Sequence, residues 1–313
     1  SDKGALEIEW SEGNHTSYYD SDWLRHNCYT LKSKKTYISP YFLWDHSIES
    51  NFEDIQIDYK EIISGDDGIK KWLEQLHYKG ISIVKNAPTD KESGFDVIAN
   101  ISHHRETFFK TPFEVIDIPN PNNSAYTAAA LRNHLDLPYY EIAPGYQFLH
   151  CLINNASGGE SVAVDGFKVA SYMKANYTEY FETLLETPVK FVNRDYTSNA
   201  IRVMHKPLFS LDHNNDFNDI RFSVAYMGVM DCDPNQMDKF YEAYRKLIAL
   251  LHDPKFEINF RLKAGDIFSF NNRRVLHGRK EYDANSGERH LQGYYIDRDE
   301  IIGRLNFLNK INP

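Results

Sequence analysis

Arg132-Asn133-His134-Leu135-Asp136-Leu137-Pro138-Tyr139-Tyr140 is the stretch on which the reading of this chain turns. On an extended strand successive side chains alternate between faces, so His134 and Asp136 point one way with Leu135 turned behind them. An imidazole and a carboxylate on one face make two-thirds of a metal site. His277, in Asn272-Arg273-Arg274-Val275-Leu276-His277-Gly278-Arg279, offers the third donor. Two neutral imidazoles and one carboxylate on one side of a metal leave open positions that suit non-heme Fe(II) oxygen chemistry. Twelve residues beyond His277 lies Arg289.

A lone His-x-Asp arises by chance in many chains of this length. Here it has company: a second histidine in a Leu-His-Gly-Arg turn near the end of a β-rich run, then an arginine at strand spacing. A planar guanidinium pairs with a carboxylate through two parallel hydrogen bonds, which gives Arg289 a role if the co-substrate is a dicarboxylate. His-x-Asp, distal His, then Arg is the order expected of a 2-oxoglutarate oxygenase.

The 313 residues are enough to bury a large core, and 42% hydrophobic with 26% charged residues is ordinary for a globular protein. The net charge of −10, with no basic block, argues against nucleic acid or an anionic membrane surface as the main partner. A cationic or zwitterionic small molecule is compatible with it. No apolar run is long enough to span a bilayer, and Ser1-Asp2-Lys3-Gly4 is unlike a secretion signal, so the chain reads as cytoplasmic. Cys28, Cys151 and Cys232, odd in number and far apart, fit a reducing compartment. Cys151, inside Phe148-Leu149-His150-Cys151-Leu152-Ile153, reads as core.

Ala5 to Trp10 alternates, Ser11-Glu12-Gly13-Asn14 supplies a turn, Thr16 to Tyr19 returns, and Asp22-Trp23-Leu24-Arg25 opens a short helix. Leu31 to Asp58 reads as a crossing connection. Ile69, Trp72, Leu73 and Leu76 have helical spacing closed by Lys79-Gly80, and Ile81 to Val84 follows as a strand. A second helix is expected from Ser93 into the 100s, with Phe95, Ile98, Ile101 and His104 on one face. His103 and His104 are not a ligand pair on it, because neighbours on a helix diverge by about a hundred degrees. After Tyr126 the chain becomes a succession of expected strands with few helices: Tyr126 to Leu131, Tyr146 to Ile153, Ser161 to Asp165, Val189 to Asn193, Asp219 to Tyr226, Phe256 to Leu262, Asp266 to Phe270 and Arg289 to Ile296. Eight strands with long insertions predict two facing sheets: a mainly β fold with flanking helices, built on a double-stranded β-helix, or jelly roll. Two later helices are expected. One starts at Asp233-Pro234 and carries an apolar stripe from Met237 to Leu251, and the last runs from about Asp297 to Asn309.

With strand order and ligands in place, the sequence resembles the gamma-butyrobetaine hydroxylase and trimethyllysine hydroxylase family of Fe(II)/2-oxoglutarate oxygenases. The resemblance rests on His134-Leu135-Asp136, Pro144-Gly145-Tyr146-Gln147-Phe148-Leu149-His150-Cys151, Gly158-Gly159-Glu160-Ser161, Val164-Asp165-Gly166-Phe167, Gly265-Asp266-Ile267, Asn272, Leu276-His277-Gly278-Arg279 and Arg289-His290-Leu291. It implies that His134, Asp136 and His277 hold Fe(II) and that Arg289 anchors the distal carboxylate of 2-oxoglutarate. It further implies that O2 is consumed to hydroxylate an unactivated C–H bond, with release of succinate and CO2.

The same family recognises a trimethylammonium group with an aromatic box, since a quaternary cation donates no hydrogen bond but is attracted to ring faces. Phe109, Phe113, Tyr126 and Tyr295 fall at the box positions, and Asn123 falls where the butyrobetaine enzymes hold the substrate carboxylate. Three departures stand out. Ala225 replaces a second amide donor; Phe109 and Phe113 replace more electron-rich or polar aromatics; and no clustered cysteines accompany His15, so the zinc module of many relatives is expected here only as a remnant without zinc. The expected division is residues 1–40 as a small β/α unit and 41–313 as the oxygenase domain, with a homodimer compatible with the apolar helix faces. Two alternatives stand beside the betaine-like substrate: an oxygenase for a substrate without a quaternary nitrogen, and a non-catalytic ligand-binding barrel.

Overall fold

A computed structural model of the chain describes residues 4–29, 41–117, 127–196 and 198–309. At the amino end β1 (Leu6–Glu9) and β2 (Thr16–Tyr19) pair antiparallel, and α1 (Ser21–His26) follows, capped by the Asp20 carboxylate. His15, exposed on this hairpin, pairs with the Ser17 hydroxyl at 3.1 Å.

From residue 41 the chain forms β3 (Gln56–Asp58), α2 (Tyr59–Ile63), α3 (Asp66–Glu74), β4 (Ile81–Lys85), α4 (Ser93–Ala99) and β5 (Phe113–Ile116). Next come β6 (Leu131–His134), β7 (Tyr146–Asn154), β8 (Ser157–Gly158) and β9 (Ser161–Asp165), leading into α5 (Gly166–Asn176) and α6 (Thr178–Glu186). Two hairpins follow, β10 (Val189–Asp195) with β11 (Ala200–Lys206) and β12 (Phe209–Leu211) with β13 (Phe217–Ile220), then α7 (Pro234–Leu251). The last part comprises β14 (Glu257–Phe260), β15 (Ile267–Asn271), β16 (Val275–Arg279), β17 (Tyr282–Asp283), β18 (Arg289–Ile296) and α8 (Arg298–Leu308).

Six strands in the order β3-β4-β15-β7-β18-β5 make one sheet and four in the order β14-β9-β16-β6 the other, the two walls of a jelly roll. Strand periodicity shows how both faces of the larger sheet are used. Ile81 and Ile83 on β4, Phe268 and Phe270 on β15, and Cys151 on β7 pack inward with Ala163, Ile258 and Val275 of the facing sheet. Their neighbours Val84, Ile267, Tyr146 and Phe148 point outward beneath Trp72, Leu73 and Leu76 and beneath Ile301 and Leu305 of α8. Burial on both faces explains why these strands read as nearly continuous apolar runs. Cys151 is the core residue expected, and burial pushes its thiol up to about 12.

A buried ion pair fastens the neighbouring strands β9 and β16 at one end of the smaller sheet. Arg274 and Asp165 are both 0% exposed, with Nε to Oδ1 at 3.0 Å and a second guanidinium nitrogen to Oδ2 at 2.8 Å. Arg274 also donates to the carbonyls of Tyr78 and Phe42, and Asp165 accepts from the backbone N–H groups of Trp44 and Phe167. One side-chain pair therefore joins β9, β16, the start of α5 and the segment before β3. Gly80, at φ 74, ends the helical run ahead of β4 in the left-handed conformation that glycine adopts most readily.

Several sequence expectations need correction. The Leu-His-Gly-Arg run is no turn but strand β16, held between β9 and β6. Of the strand expected over Tyr126 to Leu131, residues 127–130 lie outside any strand and β6 begins at Leu131, while that expected over Asp219 to Tyr226 stops at Ile220, with Val224–Tyr226 a single helical turn. Helices α5 and α6 were not expected; α5 is nucleated by the Asp165 cap, and both bury apolar faces (Phe167, Val169, Ala170 and Met173; Phe181 and Leu184). Helix α4 ends at Ala99, so His103 and His104 lie beyond it. Among the described residues no helix is long and apolar enough to cross a membrane.

Candidate active site

Strand pairing builds the site. β6 and β16 are antiparallel neighbours in which His134 stands directly across from His277, and their ring centroids are 4.3 Å apart. β6 ends at His134, so Asp136 reaches the same face from just past the strand rather than from within it. Leu135 is turned into the core, and its N–H donates to the Phe222 carbonyl. The chain then bends at Leu137, whose φ of 56 is uncommon for a residue with a side chain. Asn272 clamps this bend: its side-chain oxygen accepts from Asp136 N–H at 2.9 Å, and its amide donates to the carbonyls of Asp136 and Pro144 at 3.0 and 3.3 Å.

Each of the three side chains thereby offers a ligand atom within 4.8 Å of the others. Asp136 Oδ1 lies 3.3 Å from His134 Nε2 and 3.9 Å from His277 Nε2. The other carboxylate oxygen accepts from the Tyr295 hydroxyl at 2.7 Å. His134 Nδ1 is 2.9 Å from the Arg132 carbonyl, the outer contact that commonly orients a ligating imidazole. Burial, and after it the neighbouring His134, drives the pKa of His277 down to about 3, so its ring is neutral and its lone pair free to bind a metal. For Asp136 burial opposes ionisation but is outweighed by hydrogen bonds from His134 and Tyr295 and by both imidazoles, which hold the carboxyl below its usual range. His134 is raised: burial opposes its protonation, but the Asp136 contact prevails. Two imidazoles and an ionised carboxylate, grouped on one side, make a donor set that fits Fe(II).

His134 and Asp136 line a cavity of about 390 Å³, which Phe109, Phe113 and Tyr295 also line. Phe113 and Tyr295 stack at 5.0 Å and 25°, with Phe109 6.1 Å from Phe113. The expected box residue Tyr126 and the expected carboxylate partner Asn123 lie outside the described residues. Ala225 lines the same cavity, on the Val224–Tyr226 turn. Two further aromatics carried no sequence assignment: Tyr139 and Tyr226, whose rings meet edge to face at 4.7 Å, both face this cavity. Tyr139 stands three residues past Asp136, close enough in sequence for its role to be inferred. Tyr226 is brought there only by folding. Phe270, whose ring is 4.6 Å from that of His277, was likewise read only as part of a strand.

Arg289 opens β18 and lines a different cavity, of about 450 Å³, with Tyr282. Its guanidinium lies 5.7 Å from the centre of the Tyr282 ring, which Arg279 also approaches, at 4.8 Å. Among the described residues the buried Nε atoms of both arginines have no hydrogen-bond partner. Burial, then the like charge of Arg279, lowers the pKa of Arg289 to about 10, leaving it charged at neutral pH. Arg279 and His277 sit two residues apart on β16 and so share a face, which relates the arginine pair to the histidine cluster. A pair of guanidiniums with unsatisfied donors suits a carboxylate.

Residues 44–295 match the family described as taurine catabolism dioxygenase TauD, TfdA family. Gamma-butyrobetaine dioxygenase of Pseudomonas sp. (strain AK-1) is 34% identical over 311 residues, covering 99% of this chain and 80% of that protein. The human gamma-butyrobetaine dioxygenase is 30% identical over 315 residues, with 99% and 81% covered. The mitochondrial trimethyllysine dioxygenase of Mus musculus is 29% identical over 322 residues, with 98% and 73% covered. Among solved structures, asparagine oxygenase in complex with Fe(II), hydroxyasparagine and succinate superimposes with a TM-score of 0.57 at 14% identity, covering 75% of this chain and 83% of that one. The non-heme iron oxygenase OrfP with Fe and alpha-ketoglutaric acid gives 0.57 at 15% identity, covering 74% and 80%. These two share the fold.

Proposed function

Because the chain belongs to the TauD, TfdA family of dioxygenases, within the group of gamma-butyrobetaine and trimethyllysine enzymes, we propose that it hydroxylates a C–H bond of a small quaternary-ammonium substrate. The observation that carries this reading is the grouping of His134, Asp136 and His277, of which His134 and Asp136 line the cavity that also holds the Phe113–Tyr295 stack.

In this reading His134, Asp136 and His277 are the iron ligands. When bound, Fe(II) with 2-oxoglutarate and O2 supplies the oxidation of the C–H bond and yields succinate and CO2. The chain's own residues do the rest. Asn272 and the Tyr295 hydroxyl fix the Asp136 carboxylate from its backbone and its outer oxygen, so the remaining oxygen faces the imidazoles. Burial keeps His277 neutral. Arg289, with Arg279 at the same ring of Tyr282, receives the distal carboxylate of 2-oxoglutarate. Phe109, Phe113 and Tyr295, with Tyr126, present ring faces to the trimethylammonium group, and Asn123 takes part in holding the other end of the substrate. A desolvated cation–π contact contributes about 2 kcal/mol, so a few rings together dominate affinity.

The test is succinate formation from 2-oxoglutarate with anaerobically loaded Fe(II), started with O2, against betaines, trimethyllysine and their demethylated analogues. Stimulation by a trimethylated compound and not by its primary amine is the expected result, lost in His134→Ala. Turnover unaffected by His134→Ala would sink the ligand assignment. Equal stimulation by demethylated compounds would favour a substrate without a quaternary nitrogen, the reading that Ala225 and the two phenylalanines support. The amino-terminal residues 1–40 we read as a separate unit that needs no zinc, and the assembly as a homodimer. Zinc retained by the purified protein in stoichiometric amount, or a monomeric mass by light scattering, would count against these readings.

A further inference from the structure

The aromatic cavity holds one polar feature that the reading above leaves unused. Tyr139 is 2% exposed, and among the described residues its hydroxyl has no partner other than the Tyr226 phenol. Unmet buried donors are costly, and two phenols that have only each other share a single hydrogen bond, which leaves one O–H in reserve for a ligand. The Tyr226 ring stands against it at 4.7 Å, so two phenols from separate elements meet at the cavity wall, one three residues past Asp136 and one on the Val224–Tyr226 turn. Burial first, and for Tyr139 the neighbouring Tyr226 and Asp136 after it, raise both phenols, which keeps them protonated and able to donate. Phe113 and Tyr295 reach the same cavity from β5 and β18, and Tyr295 is tied by its hydroxyl to Asp136. Asp136 is thus flanked by an aromatic stack that suits a cation and by a phenol pair that suits an acceptor oxygen. Beside Tyr226, Ala225 offers no side-chain donor at all.

We propose that Tyr139 and Tyr226 form an oxyanion subsite, donating O–H hydrogen bonds to the carboxylate of a zwitterionic trimethylammonium acid in place of the amide donor that Ala225 cannot supply. This rests on the quaternary-ammonium reading of the cavity. A substrate held by its cation on the stacked rings and by its carboxylate on the phenols presents the carbon chain between them to the metal ligands. Arg132, exposed and lining the same cavity, is the rival partner for a carboxylate.

The experiment compares KM for gamma-butyrobetaine with KM for the matching trimethylammonium alcohol, in which a hydroxymethyl group replaces the carboxylate. Both are measured in wild type, Tyr139→Phe, Tyr226→Phe and Arg132→Gln. The phenylalanine variants keep the rings and remove only the donors. Loss of a hydrogen bond to a charged group raises KM for the acid by about tenfold to a hundredfold. KM for the alcohol and for 2-oxoglutarate stays at the wild-type value, as does the thermal shift on adding Fe(II) with 2-oxoglutarate under anaerobic conditions. Equal effects on acid and alcohol, or a tenfold loss confined to Arg132→Gln, would overturn the phenol subsite while leaving the cation reading intact. Stimulation of wild-type turnover by neither compound would overturn the cation reading and the subsite together.

Discussion

Gly293→Ala places a methyl carbon 1.9 Å from Phe113 Cζ, 2.1 Å from Cε2 and 2.5 Å from Cε1. Nonbonded carbons settle at about 3.5–4.0 Å, so the ring must retreat by about 1.5 Å. Gly293 lies directly across from Phe113 in the β18–β5 pairing, and the ring occupies the space that a side chain at 293 would take. It has two ways to move: out of its stack with Tyr295, or further into the cavity. Overpacking of this kind costs about 1–3 kcal/mol, and loss of the stack about 0.5–1.5 kcal/mol. If the ring also loses its contact with a bound cation, about 2 kcal/mol of affinity goes with it, close to thirtyfold in KM. Urea unfolding should show the stability loss, and initial rates should show KM for the trimethylammonium substrate rising about tenfold or more while that for 2-oxoglutarate stays within about twofold. Unchanged stability together with an unchanged KM for the cation would refute the claim that a missing Cβ seats Phe113 as a wall of the site.

Arg274→Met strands the Asp165 carboxylate in the core and is expected to cost about 3–5 kcal/mol in urea unfolding, with part of the loss recovered by adding Asp165→Asn; a loss below about 1 kcal/mol contradicts the fastening role of the pair. Burial first, then Arg298 and Arg274, lower the pKa of His77 from 6.5 to about 4. Between those values the unfolded chain takes up a proton that the folded chain refuses, so this contribution is full above about 6.5 and is lost progressively as pH falls to about 4. His77→Gln should flatten that part of the stability profile, and a slope equal to that of wild type argues against it. Arg289→Gln should raise KM for 2-oxoglutarate by about tenfold to a hundredfold and remove the anaerobic thermal shift given by 2-oxoglutarate, because a charge-assisted pair is lost. A variant with normal affinity for 2-oxoglutarate would move the carboxylate to Arg279.

Much of the site was legible before folding because its parts are local or ordered along the chain. His134 and Asp136 are two residues apart, and alternation along an extended backbone is enough to put them on one face. The order His-x-Asp, His, Arg carries its chemistry in residue types alone. The helix from Pro234 announces itself by its cap, its proline and its stripe. Helices α5 and α6 were missed because their apolar positions follow β9 directly, in a region otherwise rich in strand formers, and only the Asp165 cap marks the change.

Register and reach belong to the tertiary structure. That His277 stands across from His134 depends on the pairing of β6 with β16, strands separated by more than a hundred residues, which no local periodicity encodes. The same holds for Asn272 clamping the Asp136 backbone, Gly293 making room for Phe113, and Tyr226 meeting Tyr139. The sequence alone determined which donors the chain possesses and what class of chemistry they suit, because those follow from side-chain type and strand or helix period. Folding decided which phenols and rings share a cavity with them and which guanidiniums gather at Tyr282, because cross-strand neighbours are chosen by the packing of two whole sheets and not by distance along the chain.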